Sequence, residues 1–178
     1  MRKALIVGID NYTQCPLHGC CNDADAVARV LEENGDGSPN FSVKIEKDVC
    51  SKAKLRGLIE DCFSGDADIA LFYYSGHGHI DSVGGYLVTP DFTNHDYGVS
   101  LQEVLAIANA SRCKDKIIVL DSCFSGFMGS INAPTSGKPS KSKTIGYGMK
   151  NNTFSSDLVL LILFFIFLNR FSSVIGFF

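Results

Sequence analysis

The chain reads as an α/β fold with a mainly parallel central sheet flanked by helices. Three observations predict it. Short, continuous apolar runs end in glycine or a polar residue, segments of helical spacing lie between them, and 178 residues suit one domain. A composition 46% hydrophobic and 20% charged is that of an ordinary globular chain with a single core.

The first run, residues 3–8 (KALIVG), has the form of a buried parallel strand. From Asn22 onward, Ala24, Val27, Ala28, Val30 and Leu31 recur at helical spacing, with Asn22 or Asp23 placed to cap and Gly35 just past the end. Residues 41–47 (FSVKIEK) alternate as a second strand. Residues 51–63 then predict a helix that turns Leu55, Leu58, Ile59 and Cys62 inward. Residues 69–75 (IALFYYS) form a third strand. A glycine-rich stretch at 84–89 predicts a small hairpin, and Ser100 with Glu103 three residues on forms a capping box that opens the next helix. Residues 116–121 (KIIVLD) complete the series as a fourth core strand. Such alternation implies βαβ units, with helices covering both faces of the sheet.

After Met128 the composition changes. Residues 129–157 are rich in Gly, Ser, Pro, Thr and Lys and read as a flexible linker. Residues 158–178 are a hydrophobic C-terminal segment beginning with eleven unbroken apolar residues. As a helix this segment would be about 31 Å long, barely enough for a bilayer core, and Arg170 within it would cost about 2.5–3.5 kcal/mol on insertion. A membrane anchor, a degenerate buried strand and a truncated end are the three readings, and an atypical or truncated end is preferred.

The net charge of −3, from 16 Lys and Arg against 19 Asp and Glu, lacks the basic surplus of a nucleic-acid binder. Seven cysteines without paired spacing, and an N-terminal apolar run too short for a secretory signal, point to free thiols and a cytoplasmic protein. Cys15, His18, Cys20 and Cys21 lie close together, but no second ligand pair follows as a structural zinc site requires.

The chemistry gathers at two strand ends. Tyr73-Tyr74-Ser75-Gly76-His77-Gly78 follows the third strand and Asp121-Ser122-Cys123-Phe124-Ser125-Gly126 follows the fourth. In open α/β sheets the ligand crevice forms beyond the carboxyl ends of the strands. A thiol attacks a peptide carbonyl as thiolate, and an imidazole can take its proton and return it to the leaving amine. Cys123 is therefore the candidate nucleophile and His77 the candidate base and acid. The amides of Gly78 and Cys123 are the candidate oxyanion donors.

The YYSGHG and DSCFSG runs, with KALIVGIDNY and LHGCCNDADA before them, resemble the motifs of the caspases and metacaspases from Arg2 to about Met128. The resemblance implies a caspase-like α/β sandwich over residues 1–128 and a cysteine peptidase with a His77/Cys123 dyad. It also implies a substrate pocket formed by Asp23 and Asp121, as in the metacaspases that cut after Arg or Lys. Paired carboxylates suit a guanidinium and repel an acidic side chain. The expected partners are proteins or peptides with Arg or Lys before the scissile bond. Lys138, Lys141 and Lys143 in the linker are candidates for self-processing.

Some metacaspases bind calcium, and Asp91 in Thr89-Pro90-Asp91 resembles part of that site. The following helix, however, begins Ser100-Leu101-Gln102-Glu103 where an acidic pair would be expected, so no cofactor is certain and calcium stays an alternative. The smaller segment that completes a caspase-like sheet is not recognisable after Met128. The competing reading is therefore a weak or inactive interaction module that self-associates through an unfinished sheet edge.

Overall fold

The structure is a computed structural model that describes residues 1–122 and 159–164. Cys123, the linker and the remainder of the hydrophobic segment lie outside the described residues.

The central sheet contains β1 (Arg2–Gly8), β2 (Ser42–Lys47), β3 (Ile69–Ser75), β7 (Asp115–Asp121) and β8 (Val159–Phe164), in the order β2-β1-β3-β7-β8. Every pairing is parallel. Helix α1 (Cys20–Glu32) lies on one face, where Ala24 and Ala28 meet Ala4, Ile6, Leu71 and Tyr73. Helices α2 (Lys52–Phe63) and α3 (Leu101–Ala110) cover the other face. There Leu55, Leu58, Ile59 and Val104 pack with Leu5, Val7, Phe72, Tyr74, Ile118 and Leu120. Burying each large apolar side chain contributes about 1.5–3 kcal/mol, and the alternation of residues 4–7 between the two faces explains why β1 is apolar from Ala4 to Val7.

The predicted helices and the four core strands are all present, with differences at their ends. The α2 residues expected inward are buried, and Ser51 accepts from the amide of Lys54. The Ser100–Glu103 capping box forms in both directions. Neither Asn22 nor Asp23 caps α1, which starts at Cys20 with Gly19 as N-cap and no capping side chain of its own. The amides of Cys20 and Cys21 donate instead to the two oxygens of Asp10, at 2.9 and 3.1 Å. Nor does Gly35 end the helix. The chain leaves α1 through an extended Glu33, which bridges to Pro39.

Two features depart from what the sequence favoured, the second of them agreeing with the buried-strand reading that was not the preferred one. The expected small hairpin is a three-stranded antiparallel sheet of β4 (Gly78–Ile80), β5 (Gly85–Thr93) and β6 (Asp96–Ser100). β4 is too short to carry a pattern. Residues 159–164 of the hydrophobic segment pair with β7 as a fifth strand of the central sheet, from Lys116↔Val159 to Asp121↔Phe164. No helix among the described residues is long and apolar enough to cross a membrane.

Candidate functional site

The strand order reverses between β1 and β3, and it is outside the carboxyl ends of the strands at such a point that open α/β sheets place their ligands. Gly8, Ser75 and Asp121 are the last residues of β1, β3 and β7 and lie in one row, since Gly8 pairs with Ser75 and Ser75 with Asp121. His77 follows Ser75 by two residues and Cys123 follows Asp121 by two. The two candidate catalytic positions thus succeed neighbouring, in-register strands.

His77 is held from three directions. Its amide donates to the Tyr12 hydroxyl at 3.1 Å, and its ring packs on the Tyr12 ring with centroids 4.6 Å apart. Its carbonyl accepts from the amide of Val88 at 2.9 Å and from the Tyr74 hydroxyl at 3.0 Å. Nε2 lies 2.7 Å from the carbonyl oxygen of Cys15. A carbonyl only accepts, so this contact places the neutral ring's proton on Nε2 and leaves Nδ1 as the basic nitrogen.

Tyr12 and Tyr74 are both buried, with their hydroxyls 3.1 Å apart and both within reach of the Val88 carbonyl. Burial holds both phenols well above their ordinary pKa, so they remain neutral donors. Gly76 runs over this pair, and a Cβ there would come within 2.6 Å of the Tyr74 hydroxyl and 2.7 Å of the Tyr12 hydroxyl. That close approach explains the glycine before the histidine.

The segment carrying Tyr12 and Cys15 is tied at both ends. Asp48 Oδ1 accepts from the amides of Asp10 and Asn11, both at 2.9 Å, and the Asp10 carboxylate binds the start of α1. Burial acts to raise the pKa of Asp10, but the hydrogen bonds from Cys21 and Cys20 outweigh it and hold the carboxyl below its usual range.

Beside His77, the Gly8–Ser75–Asp121 row carries the acidic pair. A Cβ on Gly8 would lie 2.4 Å from the Cys20 carbonyl oxygen and 2.9 Å from the Ala24 Cβ, so the missing side chain lets the first turn of α1 come down onto the sheet. Asp23, in that turn, is thereby brought near Asp121. Both are half-buried. Burial raises the pKa of each; the charge of Asp10 adds to the rise at Asp23, and that of Asp23 to the rise at Asp121. The Tyr73 hydroxyl donates to Asp121 Oδ2 at 3.1 Å, which partly offsets the rise. Sequence reasoning missed Tyr73, Tyr12, Asp10 and the Cys15 carbonyl. The one available signal was the pair of tyrosines inside an apolar strand, because a buried hydroxyl must find a partner.

Gly78 opens β4. Val88 donates to the His77 carbonyl and Asp81 to that of Gly84, so the ladder to β5 runs through His77, His79 and Asp81. Alternation along an antiparallel pair turns the amide of Gly78 away from β5.

Three of the described thiols are poor nucleophiles. Burial pushes Cys20 up to about 12, Cys21 to about 11 and Cys62 to about 12, and all six described cysteines are free. Asp91 does not fit a calcium site. Its carboxylate accepts from the Lys52 amide at the start of α2 and from the Thr89 hydroxyl, and among the described residues no group of three or more His, Cys, Asp or Glu side chains could hold a metal ion.

Comparison with known proteins agrees with this architecture. The caspase domain family matches residues 1–162, well beyond Met128 and into β8. Metacaspase-9 of Arabidopsis thaliana is 34% identical over an alignment of 88 positions, which covers 43% of this chain and 27% of that protein. The match thus spans about a quarter of the relative's length. With the parallel sheet, the flanking helices and a family match over most of its length, the chain belongs to the caspase domain family, a family of cysteine peptidases.

Proposed function

We propose that this protein is a cysteine endopeptidase that cleaves after Arg or Lys, with His77 and Cys123 as its catalytic dyad. The observation that carries the reading is the registered end of β3 and β7, from which both residues follow at the same sequence distance. Nδ1 of His77, left unprotonated by the Cys15 contact, takes the proton of the Cys123 thiol. The thiolate attacks the scissile carbonyl, and the charge on its oxygen is met by the amides of Gly78 and Cys123. His77 then returns the proton to the departing amine. Water, deprotonated by the same imidazole, hydrolyses the thioester and frees the thiol.

The basic preference is supported by Asp23 and Asp121, two carboxylates close enough for the charge of one to raise the pKa of the other. A guanidinium relieves that repulsion and donates charge-assisted hydrogen bonds to both carboxylates at once. Lys138, Lys141 and Lys143 are substrates of the same preference within this chain, so self-processing belongs to the proposal.

The test uses a panel of peptide amides that differ only at the residue before the scissile bond. Turnover of the Arg and Lys members, lost in both Cys123→Ala and His77→Ala, is expected, with new termini after the linker lysines only in the unsubstituted protein. Preferred cleavage after Asp would overturn the specificity. Absence of turnover together with partner binding that both variants retain would establish the interaction module instead.

A further inference from the structure

Resting on that reading of the acidic pocket, we propose that Tyr73 is its positioning residue. By donating to Asp121 Oδ2, its hydroxyl holds this carboxylate in the orientation that receives the substrate's cationic side chain. Tyr73 is 2% exposed and packed between Ala4, Ile6 and Leu71 on the α1 face of the sheet, so its ring has little freedom to move. Its hydroxyl stands at the edge of that packing, 3.1 Å from Asp121 Oδ2 and against the hydroxyl of Ser75. Burial, then the charge of Asp121, hold the phenol far above its ordinary pKa, so it can only be a neutral donor here.

A donor at this place answers a specific problem. An aspartate has two side-chain torsions, and a carboxylate at a strand end next to a second carboxylate would turn away from it. Among the described residues, the groups that act on Asp121 are Asp23 from α1, with Asp10 behind it, and Tyr73 from β3, with Ser75 beside it in register. None of these is a cation, and Tyr73 is the one whose hydrogen bond to Asp121 reduces the rise in its pKa. With Oδ2 occupied, Oδ1 is the oxygen presented to a guanidinium. The tyrosine therefore orients the pocket and helps keep it ionised without touching the reacting atoms.

Because the pocket grips the substrate equally before and during reaction, losing its orientation should weaken binding rather than chemistry. Tyr73→Phe retains the ring and the packing. The variant is expected to raise KM for an Arg peptide about five- to thirtyfold while kcat changes far less, and to move the acid limb of kcat/KM to higher pH. In an Asp121→Asn background the same substitution should add almost nothing, since the group that Tyr73 orients no longer carries the charge that attracts the cation. An unchanged KM, an unmoved acid limb, or an equal loss in the Asp121→Asn background would overturn the proposal.

Benzamidine separates this proposal from the peptidase reading. If the full chain binds benzamidine, and binds it several-fold more weakly with Tyr73→Phe, the positioning role stands even where no peptide is turned over. Turnover of Arg peptides with benzamidine affinity insensitive to Tyr73→Phe would leave the peptidase reading and remove this one. Protein that neither cleaves Arg peptides nor binds benzamidine overturns both. Should Tyr73→Phe fail to fold, proton NMR of the unsubstituted chain decides: an exchange-protected, downfield Tyr73 hydroxyl that shifts on adding benzamidine supports the role, and its absence overturns it.

Discussion

Ser75 and Asp121 pair across the parallel strands β3 and β7, each the last residue of its strand. This relationship organises the crevice. It sets the residue that leads to His77 beside the one that leads to Cys123. It also puts the Asp121 carboxylate on the same face as Gly8, over which α1 brings Asp23.

Removing the imidazole tests the candidate base most directly. His77→Ala is expected to lower kcat on an Arg peptide by about 10²–10⁴-fold. The ring is half-buried and its backbone contacts survive, so the thermal midpoint should move little. Steady-state kinetics beside a melting curve checks both.

Tyr12→Phe probes the support behind that imidazole. The ring contact with His77 persists, but the His77 amide loses its acceptor and the Val88 carbonyl loses one donor. Leaving a buried amide unpaired should destabilise the fold by about 1–3 kcal/mol, read from the denaturant midpoint. Activity should fall mainly through kcat, because the histidine is less well oriented. A variant with native stability and native kcat would show that the phenol network supports nothing.

Gly8→Ala addresses the approach of α1. The added Cβ would press on the Cys20 carbonyl and Ala24, and overpacking of this kind costs about 1–3 kcal/mol. Since the displaced turn carries Asp23, KM for basic substrates should rise as well. Loss of stability with KM unchanged would mean that Asp23 does not depend on this close contact.

The acidic pair should destabilise the fold that holds it. Asp23 and Asp121 have pKa values raised in the folded state, so in the window between the ordinary carboxylate pKa and the raised one the folded state binds more protons. Stability contributed by these groups therefore falls as pH rises through that window. Asp121→Asn, which still accepts from Tyr73, is expected to be more stable than the unsubstituted chain at neutral pH, by on the order of 0.5–2 kcal/mol. The gain should vanish below the carboxylate range, and binding of basic substrates should be weakened throughout. Melting curves at several pH values test the sign.

Much of the fold was legible because its signals are local. Ser51 and Ser100 stand where helices begin, the inward positions of α2 follow helical spacing, and the apolar runs of β1, β3 and β7 need both faces covered. The α1 start was misread because its cap is not local: Asp10 lies ten residues from Cys20 in sequence and reaches it only after the chain has turned. β4 and β6 escaped notice because three- and five-residue strands containing glycine carry no usable period.

For the site, the sequence by itself determined the residue types and their positions at strand ends: His77 and Gly78 after one apolar run, Asp121 and Cys123 closing another, Asp23 at the start of a helix. Those follow from motif and pattern along the chain. Tertiary structure alone decided that β3 and β7 are neighbours in register, and that the Cys15 carbonyl meets Nε2 of His77. It also decided that the Tyr73 hydroxyl reaches Asp121 across 48 residues. Strand order and hydrogen bonds over such separations depend on how the whole sheet closes around its core, a property that no local run of residues encodes.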